Sequence, residues 1–270
     1  MSSAETTSAS SATISVNLRE LKYYCIFVSE ARRAHVQAQF DAVAMGESLC
    51  FVRGPTRYGG VANKLLGASV GTMRAVDTAL RAGGSSFRPF VVIEDNTSWT
   101  PALDKPCITV PTEADALYIG TSVCAVQPTV NCFGATLVWE DIGLDVVRIY
   151  NMLSTHALVV LTPAYAAAYS RALMEAACMT RFGQDTVLDC VTTRLGAYYV
   201  VCAVRTPYLF QDARVGGYEK ETRIPIFLSP SPSPFPFPFP SSAVTTLSAA
   251  LSEYAPHAPI AALRDGALSD

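Results

Sequence analysis

The chain has 270 residues, half of them hydrophobic and only 16% charged. That composition supports a large buried core and excludes wholesale disorder, because disordered chains are poor in apolar residues and rich in charge. Its 20 Lys and Arg stand against 23 Asp and Glu, a formal charge of -3, and without a basic excess nothing marks a general nucleic-acid binder.

Residues 1–18 read as a polar, disordered tail rich in Ser, Thr and Ala, lacking the basic and apolar regions of a secretory signal. A continuous apolar strand is expected over 23–28, followed by a helix over 30–43 that carries Arg32, Arg33 and His35. A short strand at 48–52 leads into a turn at 54–60, and helical spacing runs over 64–82, with Leu65, Leu66, Val70, Met73, Val76 and Leu80 on one side. Strands follow at 89–93, 116–120 and 157–161, and the Thr162-Pro163 pair opens an Ala-rich helix over 163–177. A helix over 185–195 and a strand over 198–204 complete the alternation.

Residues 19–228 are therefore expected to form one α/β domain: a mostly parallel central sheet covered by helices on both faces, with ligands beyond the carboxyl ends of its strands. Residues 229–242 (SPSPSPFPFPFPSS) are a Pro/Phe/Ser-rich linker favouring extended polyproline conformation, and 243–270 a C-terminal tail with room for a short helix. No apolar run approaches the roughly 20 residues a bilayer requires, so no membrane span is expected. The eight cysteines contain no CxxC pair and suit a reducing, cytoplasmic setting.

The candidate chemistry concentrates at Glu94-Asp95-Asn96, where the strand over 89–93 ends. Two carboxylates and an amide there are hard oxygen donors of the kind Mg²⁺ or Mn²⁺ prefers, and such ions share their coordination with phosphates. The plainer alternative is a loop acid or a helix cap. His156, just before the strand over 157–161, is either a neutral ligand for that metal and a diphosphate or a histidine satisfied by backbone groups. Asp185 is either a general base for an acceptor hydroxyl or the N-cap of its helix. Arg32 and Arg33 follow the first strand, where guanidinium groups can clamp phosphate or simply face solvent. Trp99 either stacks on a base or fills a gap, and neither His35 nor His257 has a sequence neighbour that suggests chemistry.

The order of these elements resembles the glycosyltransferase family that includes bacterial lipopolysaccharide galactosyltransferases, procollagen galactosyltransferases and similar virus-encoded enzymes (family 25-like, GT-A fold). The resemblance spans about residues 20–212 and is carried by 23–33, 67–80, 90–96, Thr155-His156-Ala157, 185–189 and 199–211. It implies a nucleoside diphosphate sugar donor, a glycan or protein hydroxyl as acceptor, and Mn²⁺ or Mg²⁺ to stabilise the leaving diphosphate. On that pattern Asp95, Asn96 and His156 would hold the metal, and Arg32, Arg33, Glu94 and Asp95 the donor. Asp185 and Glu94 would serve catalysis. Two departures stand out: Asn96 replaces the family's third acid, and Gly71-Thr72 occupies the place of its usual Ser-His pair. Two other readings stay open, a catalytically weak homologue that binds nucleotide sugar or glycan, and an interaction scaffold using the proline-rich segment.

Overall fold

The computed structural model describes residues 12–55, 64–122, 126–127, 132–133, 137–153, 155–181 and 188–216. Its strands are β1 (Thr13–Asn17), β2 (Lys22–Phe27), β3 (Leu49–Arg53), β4 (Phe90–Glu94), β5 (Thr97–Trp99), β6 (Cys107–Pro111), β7 (Ala116–Tyr118), β8 (Val126–Gln127), β9 (Cys132–Phe133), β10 (Trp139–Asp141), β11 (Val146–Ile149), β12 (Ala157–Val160), β13 (Val201–Val204) and β14 (Leu209–Gln211). The helices are α1 (Glu30–Ala42), α2 (Lys64–Ala82), α3 (Pro163–Arg181) and α4 (Leu188–Thr193).

Eight strands form the central sheet in the order β10-β11-β13-β7-β12-β4-β2-β3. The expectation of a mostly parallel sheet is corrected to a mixed one. β2 pairs in parallel with both β3 and β4, and β13 with β7. β12 enters antiparallel between β4 and β7, and β11 runs antiparallel to both β13 and β10. Continuous apolar runs signal burial on both faces of a strand, and an antiparallel strand buried on both faces reads the same way. The run of buried residues along β12 shows this directly.

Both faces are covered, by different means. On one, Val92, Leu158 and Tyr118 pack beneath the buried stripes of α2, α3 and α4. There Ala75, Ala79, Ala166, Ala172 and Ala176 are buried, and small side chains of this kind let helices approach each other closely. Ala79, not Leu80, turns inward on α2; Leu80 is among the exposed large apolar residues. The other face, with Cys25, Val91, Leu117 and Val159, packs against Val36 and Phe40 of α1 and against an antiparallel ribbon of β1 and β6. Residues 13–17, expected to be part of a disordered tail, are therefore a strand: Val16, with Leu18 just beyond, enters the core while their polar neighbours face out.

Candidate functional site

β4 ends at Glu94, and the parallel pairing with β2 sets Ile26 beside it, so both strands deliver their carboxyl ends to one place. After β2 the chain turns at Val28, and Ser29 caps α1 by accepting a hydrogen bond from the Arg32 backbone N–H at 3.3 Å. Because β12 runs antiparallel to β4, its first residues arrive at the same end: the Glu94 N–H donates to the His156 carbonyl at 3.1 Å. β14 pairs antiparallel with β5 and brings the segment after Gln211 across the triplet, where the Asp212 N–H donates to the Asn96 carbonyl at 2.7 Å.

Asp95 is only 4% exposed. Its Oδ2 accepts the Val28 N–H at 2.8 Å and its Oδ1 accepts Arg32 Nη1 at 3.2 Å. Glu94 accepts the Thr155 hydroxyl on Oε1 at 3.1 Å and Gln211 Nε2 on Oε2 at 2.9 Å. Asn96 is 7% exposed, and its Oδ1 has no hydrogen-bond partner among the described residues. A buried amide oxygen left in that state is costly, which makes it the atom here with most to gain from a ligand. The charges of Asp95 and Glu94 add to burial in pushing the Cys25 thiol up, so this buried cysteine is an inert neighbour.

His156 is buried beside Gly120, where a Cβ would collide with the imidazole ring. Burial drives its pKa down to about 4, partly opposed by a hydrogen bond involving the Leu209 backbone, and the ring is neutral at pH 7. Arg33 does not reach the triplet pairings: its guanidinium lies over the Phe27 and Phe51 rings at 5.6 and 5.0 Å and pairs with Glu30 at 3.2 Å. Trp99 packs against Tyr23 and Phe40, with ring centroids 5.8 and 5.1 Å away, which is the gap-filling alternative. Asp185, the turn at 57–60, His257 and the segments 229–242 and 243–270 lie outside the described residues.

A relay of polar neighbours, His35, Ser98, Asp212 and Arg214, escapes a reading of the sequence. His35, which has no suggestive neighbour in the chain, places Nε2 3.0 Å from Ser98 Oγ. The Ser98 hydroxyl donates to Asp212 Oδ2 at 2.9 Å, and Arg214 forks onto both Asp212 oxygens. The Arg214 guanidinium holds the Asp212 carboxyl well below the usual carboxylate range. Ser98 and Asp212 are 114 residues apart, so only the β5–β14 pairing could have revealed the contact.

The Mn²⁺ or Mg²⁺ implied by the resemblance can be tested against these donors. Asp95 already carries a guanidinium and a backbone N–H, both Glu94 oxygens are engaged by neutral side chains, and Asn96 brings no charge. No group of three or more His, Cys, Asp or Glu side chains able to hold a metal occurs among the described residues. As arranged, they do not fit a divalent ion. What they can do is present a guanidinium, a fixed carboxylate and an amide oxygen without a partner among the described residues, at the ends of two parallel strands.

Where the Ser-His pair of the resembling family would stand, Gly71 lies against the same strand end. A Cβ there would come within 2.7 Å of Ile26 Cγ2, so the helix packs where a larger side chain would push it away. Among the described residues no helix is long and apolar enough to cross a membrane. No family model matches the chain, and no curated protein matches it.

Proposed function

We propose that the chain is a glycosyltransferase-type domain of GT-A character, which takes a nucleoside diphosphate sugar at the carboxyl ends of β2 and β4 and passes its hexose to a glycan or protein hydroxyl. One observation carries this reading. Four separate stretches, around residues 28–35, 94–98, 155–156 and 209–216, converge their polar groups on that strand end, the place where α/β sheets take ligands. Within the convergence sits Asn96 Oδ1, a buried acceptor without a partner among the described residues.

In this reading Arg32 faces the diphosphate, using donors other than the Nη1 that bonds Asp95. Asp95 orients Arg32 and the turn at Val28. Glu94, clamped from both sides by Thr155 and Gln211, is a carboxylate of fixed direction that accepts donor hydroxyls. Asn96 Oδ1 takes a further ligand hydroxyl. Asp185 is assigned the acceptor's proton on sequence grounds. Incubating the full chain with a panel of nucleotide sugars and acceptor glycans, and measuring released nucleoside diphosphate, tests the assignment. Glu94→Gln keeps the shape and removes the charge, and turnover should fall by about 100-fold or more. Undiminished turnover in that variant would remove Glu94 from the chemistry.

The neutral Asn96 and an Asp95 already paired with Arg32 favour a second reading, a domain that binds nucleotide sugar or glycan without transferring it. Binding measured by calorimetry alongside an absence of donor turnover would select it over the first.

A further inference from the structure

We infer that the diphosphate-neutralising cation of this site is the Arg32 guanidinium itself, so that the protein binds a nucleoside diphosphate without a divalent metal. The inference rests on the nucleotide-sugar reading above and goes beyond it by naming what balances the ligand's charge. Asp95 is the carboxylate best placed to anchor a metal, yet its Oδ1 is 3.2 Å from Arg32 Nη1 and its Oδ2 is 2.8 Å from the Val28 N–H. A divalent ion bound to Oδ1 would sit against a fixed positive charge beside a carboxylate that is almost wholly buried, where like charges are less well screened than in bulk water.

The neighbouring donors do not compensate. Each Glu94 oxygen accepts one hydrogen bond, from Thr155 at 3.1 Å and from Gln211 at 2.9 Å, so a further ligand on either must share it with a fixed donor. The third position of the triplet is the neutral Asn96, and the edge of His156 abuts Gly120. Arg32, by contrast, is equipped for the task. Its side chain is 34% exposed, it spends one donor on Asp95 among the described residues, and it stands in the first turn of the Ser29-capped α1, where the helix dipole also favours an anion. Gly216 lies so close to the guanidinium that a Cβ there would collide with it, so backbone packs directly against the group. Asn96 Oδ1 adds the independent sign of a ligand: a side chain more than nine-tenths buried with no partner among the described residues, suited to a ligand hydroxyl.

Isothermal titration of the full chain with uridine, guanosine, cytidine and adenosine diphosphates, each in excess EDTA and again in Mn²⁺, decides the matter. The inference predicts that at least one of these binds with the same affinity, within about twofold, in both buffers. Arg32→Lys keeps a positive charge beside Asp95 but loses the planar fork, and should weaken that binding about tenfold or more in EDTA. Thermal melting of the variant confirms that it is folded. Binding that appears only with Mn²⁺, or is unchanged in the folded Arg32→Lys variant, overturns the inference and leaves the nucleotide-sugar reading standing. Failure of all four probes in both buffers overturns the two together.

Discussion

The two faces of the central sheet deal with buried polar groups in opposite ways. Beneath α2, α3 and α4 several hydroxyls are satisfied locally. Thr72 donates to the Ala68 carbonyl, Thr78 to Arg74 and Thr192 to Leu188, each one helical turn away. Beside α1, at the carboxyl ends of β2 and β4, the polar contacts join residues 61 to 117 positions apart, as in Thr155–Glu94, Arg32–Asp95 and Gln211–Glu94. Local bonds form with the helix and ask nothing of the fold. Long-range polar contacts in a buried place are costly unless every member is held in register, and they survive where a site needs groups presented in fixed directions.

The largest expected effect comes from breaking that second kind of contact. Asp95→Ala strands the Val28 N–H and removes the partner of Arg32, and should cost about 2–4 kcal/mol in chemical denaturation, discounted for the solvent that reaches Arg32. A loss below about 0.5 kcal/mol would mean that the network does not hold this strand end together.

Acid provides the next test. The folded pKa of His156, about 4, lies below the ordinary value of 6.5, so the unfolded chain binds the extra proton first. Stability from this group is intact above pH 6.5 and is lost as pH falls toward 4, by about 3 kcal/mol in all. Urea melts of His156→Gln across pH 7 to 4 should show a shallower decline than those of the parent chain. Parallel curves would mean that the imidazole takes up its proton as readily in the folded protein as in the unfolded chain.

On the other face packing governs, and the effects should be smaller and independent of pH. Gly71→Ala places a methyl 2.7 Å from Ile26 Cγ2 and should destabilise by about 1–2 kcal/mol, despite the better helix propensity of alanine. A gain in stability would show that α2 can shift at no cost. Thr72→Val removes a hydroxyl that, among the described residues, bonds within its own helix and should change stability by less than about 0.5 kcal/mol. A loss of several times that size would erase the distinction between the two faces.

Much of the fold is legible in the chain itself. The buried strands β2, β4, β12 and β13, and the helices α1, α2 and α3, announce themselves by apolar runs and helical spacing. Strand direction does not, because burial on both faces gives the same residue pattern whether β12 runs with β4 or against it. That direction matters for the site. β12 is four residues long, roughly 13 Å at 3.3 Å per residue. A parallel β12 would have left His156 about that far from Glu94, at the opposite end, whereas the antiparallel one sets their backbones 3.1 Å apart. The short strands β5 and β14 carry little pattern, so the Ser98–Asp212 and Glu94–Gln211 contacts they create stay hidden. The acidic triplet is visible in the sequence, but the burial of Asp95 against Arg32 depends on where α1 begins relative to β4, which no local spacing encodes.

Hydrogen–deuterium exchange of the full chain, with and without a saturating nucleoside diphosphate or nucleotide sugar, tests the location of the site most directly. Slowed exchange is expected at the backbone amides of 28–33, 94–98 and 211–216, with little change along α2 and α3. Protection confined to the helical face, for instance around the hollow formed by Leu80, Gly84 and Phe87, would contradict the placement of ligand binding at the β2–β4 strand end.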